Sequence, residues 1–329
     1  MKKNLPLSII FLLLFSSMFG QSGQAKDEFK PSGKSFVKIY TNYHSNFTNG
    51  TTRNLFEVTR AYMGYKYSFS KYFSGKVNLD VGNPGVGKLQ MTAYLKNAYV
   101  QYKKNGLTVR IGLIGTYIFN FQESHWGNRY LFKSFQDQNG FGPSADLGVS
   151  IAYQLNSFVS ADFSVLNGEG YKRIEVDSTL KYTMGVTLKP TKALAFRVYY
   201  DYMNKKAAQQ TLSFFLAYTR AKWKGGAEYN KQYNHGMSSG KDYSGYSFYA
   251  TYYFKKVNIF GRYDYLSSVT MANEVNPWNF AKDGQEFIAG IEFSPVKGVR
   301  ISPNYQLWKP RNRAKSSVSG AYLSLQIKF

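Results

Sequence analysis

The chain has no cysteine among its 329 residues and only three histidines. Disulfide bonds and thiolate chemistry are therefore excluded. His44, His125 and His235 lie far apart in sequence, and no two have the spacing of a metal-binding pair. The only Gly-x-Ser-x-Gly match, residues 236–240, lies in a predicted loop between two strands, so the strand-to-helix nucleophile elbow of hydrolases does not occur. We therefore expect no enzymatic activity, no cofactor and no metal.

A long apolar run is missing as well, except at the start of the chain. Lys2 and Lys3 precede an apolar run from Leu5 to Phe19, and small and polar residues follow as far as Ala25. This order predicts a secretory signal peptide over residues 1–25, cleaved after Gly20 or after Ala25. The run is short for a membrane-spanning helix. Residues 26–329 are then the exported domain.

Acidic residues are few, with 19 Asp and Glu against 42 Lys and Arg. Loss of Lys2 and Lys3 with the signal leaves 40 basic residues, so the net charge of the exported chain is about +21. Such an excess fits an anion-attracting pore, a basic rim that faces anionic lipid, or a nucleic-acid surface. Because the chain is exported, we expect no nucleic-acid partner.

Aromatic residues are abundant, with 29 Tyr and 26 Phe, and the last stretch of the chain shows how they are arranged. Between Ser319 and Phe329, apolar residues alternate with polar or amphipathic ones. Side chains of a strand point alternately to opposite faces, so this stretch predicts a strand with one apolar and one polar face. A strand of a soluble sandwich would show the same alternation. The apolar positions of this closing strand include Leu323, Leu325, Ile327 and Phe329.

The same alternation recurs about sixteen times from residue 33 onward, with short turns and longer loops in regular succession. This rhythm predicts an all-β fold: a transmembrane antiparallel β-barrel of about 16 strands, of porin size, in the bacterial outer membrane. Ser45 to Arg53 is predicted to be a loop. Trp223 and Trp308 are predicted to lie in the two interfacial belts.

Several short motifs resemble the phosphate-selective porin O and P family of bacterial outer-membrane channels, over roughly residues 33–329. The motifs that carry the resemblance are Thr59-Arg60-Ala61, Val109-Arg110-Ile111-Gly112, Asp146-Leu147-Gly148-Val149, Leu166-Asn167-Gly168-Glu169-Gly170, Arg262-Tyr263-Asp264-Tyr265 and the terminal Phe329. The resemblance implies a sixteen-stranded trimeric barrel whose third external loop folds into the lumen. It also implies a dense basic ladder near the constriction.

The long loop of this chain departs from that basic ladder. Between Tyr117 and Pro143 it contains Arg129 and Lys133 but also Glu123 and Asp137. Its aromatic residues gain by burial, so we expect the loop to fold inward. Arg60 and Arg110 of the predicted strands should lie near these loop charges at the narrowest point of the lumen. We expect the anion selectivity of this constriction to be weak rather than strong. The constriction and anion-guiding candidates are therefore Arg60, Arg110, Arg129, Lys133, Glu123 and Asp137.

Charged residues also recur on the polar face of the predicted strands, and two interpretations stay open. They could form salt bridges along the inner wall, or a subset near the long loop could guide anions. The candidate lumen cations are Lys38, Arg60, Lys66, Lys76, Arg110, Lys181, Arg197, Arg262 and Arg300. The candidate acids are Asp80, Asp146, Asp162, Asp201, Glu228, Asp264, Glu286 and Glu292.

The remaining positive charge lies at the predicted turns and in the last loop. A solvated, lipid-facing rim and a rim that steers solutes are both consistent with it. The turn lysines are Lys103, Lys104, Lys189, Lys192, Lys222, Lys224, Lys255, Lys256 and Lys297, and the loop cluster is Lys309, Arg311, Arg313 and Lys315.

Two functional hypotheses follow. The first is a porin-like channel for passive diffusion of small hydrophilic solutes, with a mild anion (phosphate-like) preference. The second is a plugged structural barrel that serves as an assembly or secretion partner, because the bulky long loop could seal the lumen. The expected partners are outer-membrane lipid and lipopolysaccharide, the solutes, and two further copies of the chain in a homotrimer.

Overall fold

The computed structural model describes residues 29–83, 91–173, 175 and 178–329. The predicted signal peptide over residues 1–25 lies outside the described residues. Strands are the dominant structure of the described residues from residue 32 onward, as the alternating pattern predicted.

Sixteen antiparallel strands form one closed barrel, in which each strand pairs with its neighbours in sequence and the last strand pairs with the first. The predicted fold class and strand number are confirmed. The strands are β1 Ser32–Thr48, β2 Thr51–Ser68, β3 Phe73–Gly82, β4 Thr92–Lys104, β5 Leu107–Gly115, β6 Ala145–Gln154, β7 Val159–Leu166, β8 Lys181–Leu188, β9 Leu194–Asn204, β10 Ala208–Arg220, β11 Trp223–Tyr233, β12 Tyr243–Tyr253, β13 Val257–Ser268, β14 Gly284–Phe293, β15 Val299–Pro310 and β16 Val318–Lys328.

The closing seam joins β16 to β1 over a long register. Lys38 lies opposite Lys328 at one end of the seam and Phe47 lies opposite Ser319 at the other. Beyond the last strand residue, the Val37 amide donates to the Phe329 carbonyl at 2.9 Å. Because hydrocarbon offers no hydrogen-bond partners to an open strand edge, this seam is a condition for spanning a bilayer.

The two faces of each strand differ in the way the alternation predicts, and β8 shows it clearly. Met184 and Val186 point outward with 53% and 44% of their surface exposed, whereas Thr183 and Thr187 point inward and are buried. The outer wall is therefore apolar and the inner wall polar. This is the construction of bacterial outer-membrane barrels, and it assigns the chain to the bacterial outer membrane.

Connections at the two ends of the barrel differ in length. Seven short turns lie at one end, here called the turn end, and the loops lie at the other, here called the loop end. In outer-membrane barrels the short turns face the periplasm. The turns are residues 69–72, 105–106, 155–158, 189–193, 221–222, 254–256 and 294–298.

Three local predictions were wrong. Ser45 to Arg53 is not a loop, because β1 and β2 stay paired up to Thr48 and Thr51 and only Asn49 and Gly50 turn the chain. The connection at residues 205–207 is also short although it lies at the loop end. Trp308 does not join the outer aromatic belt, since it lines a cavity inside the barrel with Phe132 and Glu286.

The long loop, residues 116–144, connects β5 to β6 and contains two short helices. These are α1 (Tyr117–Trp126) and α2 (Phe135–Asn139). Each helix ends at a glycine in the left-handed conformation, Gly127 and Gly140, with φ of 72° at both. No helix in the described ranges is long and apolar enough to cross a membrane.

We expect a charge on the outer face of β3 to be far more damaging than the same charge on its inner face. Val77→Arg places a guanidinium at a position with 51% of its surface exposed to lipid, at a cost of roughly 2–4 kcal/mol near the bilayer midplane. The matched change Ser74→Arg faces the lumen. The fraction of heat-modifiable folded barrel on gels should fall for Val77→Arg only, and equal losses would contradict the assignment of faces.

Candidate functional site: the lumen and the long loop

The long loop lies inside the barrel and packs on the wall formed by β9 to β14. Trp126 is 1% exposed and belongs to one apolar cluster with Phe215, Tyr249, Phe260 and Ile288. Its ring centroid lies 5.1 Å from that of Tyr249. The predicted inward fold of the loop is confirmed, and burial of these aromatic rings stabilises it.

The middle of the loop reaches the opposite wall. Tyr130 is 3% exposed and packs with Tyr40 of β1 and Tyr62 of β2. Its hydroxyl donates a 2.8 Å hydrogen bond to Glu292 of β14. The loop therefore crosses the lumen, from the cluster around Trp126 on one side to strands β1 and β2 on the other.

Two arginines of the wall hold the backbone of the loop. Arg262 donates to both carboxylate oxygens of Asp264, at 2.8 and 2.6 Å, and to the Lys133 carbonyl at 2.7 Å. Its guanidinium carbon also lies 4.8 Å from the ring centroid of Trp126. Arg300 donates to the Gly127 carbonyl at 3.0 Å. Charge-assisted bonds of this kind are stronger than neutral ones, so the loop is fixed at several points.

The charges of the loop largely neutralise one another. Arg129 pairs with Asp137 at 2.8 Å and lies 3.8 Å from Glu123. Burial would raise the pKa of Asp137, but Arg129 and Lys133 outweigh it and hold that pKa below its ordinary value. Burial raises the pKa of Glu123 despite the nearby Arg129. Arg129 is thus engaged within the loop.

Most predicted inner-wall charges form ion pairs, and all of these pairs except Arg262–Asp264 join different strands. Arg197 donates two hydrogen bonds to Asp162, at 2.7 and 2.9 Å, and Lys181 lies 3.9 Å from Asp201. This supports the salt-bridge interpretation for β6 to β15. The other pairs of the wall are Arg60–Asp80, Lys96–Asp80, Arg262–Asp264 and Arg300–Glu292.

One sector of the inner wall differs, because its cations have no acidic partner. Lys38, Lys66, Lys76 and Arg110 lie on β1 to β5 near the turn end, and in the described part of the chain none of them forms an ion pair. Lys66 lies directly opposite Lys76 across the β2–β3 ladder. Like charges in this position destabilise a sheet. We call these four residues the basic sector.

Aromatic rings accompany the basic sector. The ring of Phe36 lies 5.9 Å from the Lys66 ammonium and 5.7 Å from that of Lys76. Arg110 lies over Tyr99 and, at 5.2 Å, over Tyr117 of the long loop. Contacts with ring faces at these distances are favourable for cations and hold the basic side chains against the wall.

The alternating pattern missed Lys96, which lies next to the inward-facing Asn97 and should therefore face outward. The β3–β4 register shifts between Asn78 and Leu79, and this bulge leaves Lys96 only 7% exposed. Its ammonium lies 3.6 Å from Asp80 and within 5.3 Å of the ring centroids of Tyr62, Phe119 and Tyr171. A bulge has no reliable signal in a single sequence.

Two cavities lie toward opposite ends of the barrel. The cavity at the loop end, of about 610 Å³, is lined by Arg60, Arg129, Lys133 and Asp137 among others. The cavity at the turn end, of about 560 Å³, reaches Tyr117 of the long loop. Four of the six constriction candidates therefore share one cavity, whereas Arg110 belongs to the basic sector and Glu123 lies within the loop.

The three histidines remain apart. His44 Nδ1 lies 2.6 Å from the Asn42 side chain, and His125 Nδ1 lies 2.7 Å from the Phe121 carbonyl. His235 stacks on Trp278 at the loop end. Among the described residues, no group of three or more His, Asp or Glu side chains could hold a metal ion.

Comparison with solved structures shows a porin fold. OmpF of Salmonella typhi, solved with daunomycin, has a TM-score of 0.68 and 11% identity over 90% of this chain and 97% of its own. OmpT of Vibrio cholerae has a TM-score of 0.64 and 11% identity over 93% of this chain and 100% of its own. Another structure of OmpT is described as a trimer form. The outer-membrane channel DcaP of Acinetobacter baumannii has a TM-score of 0.62 and 11% identity over 93% of this chain and 99% of its own.

Neither a protein-family model nor a curated protein matches the sequence. At about 11% identity the structural likenesses show the fold alone. The resemblance to the phosphate-selective porin O and P family therefore stays a prediction.

We expect Arg262→Gln to destabilise the barrel by roughly 3–5 kcal/mol, because it leaves the buried Asp264 carboxylate without its partner. The free energy of unfolding in urea measures this. The double variant Arg262→Gln/Asp264→Asn removes both charges and should lose less than the single variant. An equal or larger loss in the double variant would mean that the ion pair is not the main contribution of Arg262.

Proposed function

We propose that this chain is an outer-membrane channel for passive diffusion of small hydrophilic solutes, with a mild preference for anions. The observation that carries the proposal is the basic sector: Lys38, Lys66, Lys76 and Arg110 face the lumen and form no ion pair with a described residue. Elsewhere on the inner wall most cations are paired with acids, and Asp146, Glu228 and Glu286 are acids without an ion pair among the described residues. The basic sector is therefore the part of the wall where positive charge is not compensated by a neighbouring acid.

Exposure supports a water-filled route beside this sector. Lys66 faces inward and is nevertheless exposed, whereas Arg197, Arg262 and Asp264 on the far side of the barrel are 4% to 5% exposed. The long loop covers the wall of β9 to β14 and leaves the turn-end half of β2 and β3 to solvent. Solutes would pass between α1 and the basic sector.

No reaction is involved in this mechanism. The width of the passage and its electric field decide which solutes cross. A unit charge about 4 Å from a lysine gains about 1 kcal/mol in water, which favours an anion without trapping it. Because Arg129 pairs with Asp137 in the loop, the second side of the passage adds little positive charge. Selectivity for anions should therefore be weak.

The other candidate function is a plugged structural barrel. The anchoring of the loop favours it, since Arg262 and Arg300 bind loop carbonyls and Trp126 is buried on the wall. In that case the barrel would conduct little, and its outer surfaces would serve an assembly or secretion partner.

Three further properties belong to the channel proposal. A homotrimer is supported by the porin fold, for which a trimer form of OmpT is known. Lipopolysaccharide phosphates would contact exposed cations of the last loop such as Arg313 and Lys315. An enzymatic activity is not proposed, since the three histidines lie in separate surroundings.

We expect Lys38→Glu/Lys66→Glu/Lys76→Glu to turn the channel from weakly anion-selective to cation-selective. The chloride-to-potassium permeability ratio should fall about tenfold, the factor that ~1.4 kcal/mol corresponds to. Reversal potentials in a KCl gradient across planar bilayers measure it. Lys309→Glu/Arg313→Glu/Lys315→Glu makes the same charge change at the end of β15 and in the last loop, and it should shift the ratio far less. Equal shifts would place the selectivity outside the lumen.

We expect excision of residues 126–138 to raise single-channel conductance several-fold, because it removes Trp126 and the segment that crosses the lumen. Shortening the last loop by residues 312–316 is the control and should leave conductance unchanged. A silent wild type with a conducting excision variant would support the plugged barrel. Unchanged conductance after excision would show that the loop does not limit flow.

A further inference from the structure

The seven short turns at the turn end contain lysine residues but no Asp or Glu. Two of these turns, residues 221–222 and 254–256, lie side by side, because the Tyr253 amide donates to the Lys222 carbonyl at 2.8 Å. They bring together four exposed cations, Arg220, Lys222, Lys255 and Lys256. None of the four forms an ion pair with a described residue.

An aromatic platform lies on the outer wall next to these cations. Trp223 is 53% exposed and its ring centroid lies 4.7 Å from that of Tyr252. The ring of Tyr252 lies 4.6 Å from that of Phe254, which is also 53% exposed. Aromatic side chains of this kind gather where hydrocarbon meets headgroups. The platform therefore marks the level of the inner-leaflet interface.

We propose that Arg220, Lys222, Lys255 and Lys256, together with the Trp223–Tyr252–Phe254 platform, form a binding site for an anionic phospholipid of the inner leaflet. The cations bind the phosphate diester and the platform packs against the glycerol and the first acyl carbons. The site is independent of the proposed channel, since it lies on the outside of the barrel. It fits a lipid better than a soluble acidic protein, because the aromatic platform is continuous with the apolar, membrane-facing wall.

Charge complementarity argues for a lipid with net negative charge over a zwitterionic one. Each lysine close to an anionic membrane surface strengthens the attraction to that surface. A zwitterionic headgroup carries an ammonium that four cations would repel. Neither turn contains a carboxylate, so no acidic residue of the turns competes with an anionic lipid for the four cations.

Trp223 provides the measurement, because it is the one outward-facing tryptophan of four and all four lie in the described ranges. Trp126 is buried, Trp278 stacks on His235 and Trp308 lines an inner cavity. The purified full-length barrel is placed in phosphatidylcholine vesicles that contain brominated phosphatidylglycerol, or in phosphatidylglycerol vesicles that contain brominated phosphatidylcholine. Bromine quenches tryptophan on contact, so the two series give the relative binding constant at this position.

The expected result is a binding constant at least about fivefold higher for phosphatidylglycerol, the gain of a single lysine at an anionic surface, with a decrease at high salt. Lys222→Gln/Lys255→Gln/Lys256→Gln should bring the ratio close to one. The corresponding Lys→Arg triple variant should restore it, which separates charge from folding. Lys71→Gln/Lys104→Gln, at turns on the other side of the barrel, should leave it unchanged.

Three outcomes would overturn the proposal. Equal quenching by the two brominated lipids in the wild type would show no selection of charge. An unchanged ratio in the Lys→Gln triple variant would place the selection elsewhere. Absence of quenching by either lipid, with Trp223→Phe as the blank, would show that the platform is covered by something other than lipid, such as a second copy of the chain.

Discussion

The structure depends on one constraint: a backbone amide in hydrocarbon has no partner except another backbone group. The ladder between β16 and β1 satisfies it, from Lys38–Lys328 to Phe47–Ser319. Once every strand is paired on both sides, successive side chains along each strand point alternately to the lipid and to the lumen. The apolar outer wall and the charged inner wall are two consequences of the same closure.

Closure creates a second problem, since a sixteen-stranded barrel encloses more space than its own side chains fill. The chain resolves it unevenly. On β9 to β14 the long loop covers the wall with Trp126, and Arg262 binds both the loop and Asp264. On β1 to β3, Lys66 is exposed, and Lys38 and Lys76 are only partly buried. The wall that the loop covers carries most of the ion pairs, and the more open wall carries the basic sector.

The sequence alone predicted the features that depend on the alternation of apolar and polar residues. It could not predict the features that depend on contacts between residues far apart in the sequence. Leu323, Leu325 and Ile327 showed the closing strand because alternation is a local signal. The continuation of β1 to Thr48 and of β2 from Thr51 was missed, because the polar residues around Asn49 and Gly50 resemble a loop. Lys96 was missed because a bulge moves it inward, and the pairing of Arg129 with Asp137 requires the folded loop.

The unpaired cations are the features that stability does not explain. Lys66 opposite Lys76 is unfavourable for the sheet, and the wall shows with Arg197 and Asp162 how such a charge can be compensated. Uncompensated cations also occur on the outside of the barrel at the turn end, where Lys222, Lys255 and Lys256 have no acidic neighbour in their turns. In both places, no described residue supplies a counter-charge within ion-pair distance. A dissolved anion can supply it in the lumen, and a lipid phosphate can supply it at the rim.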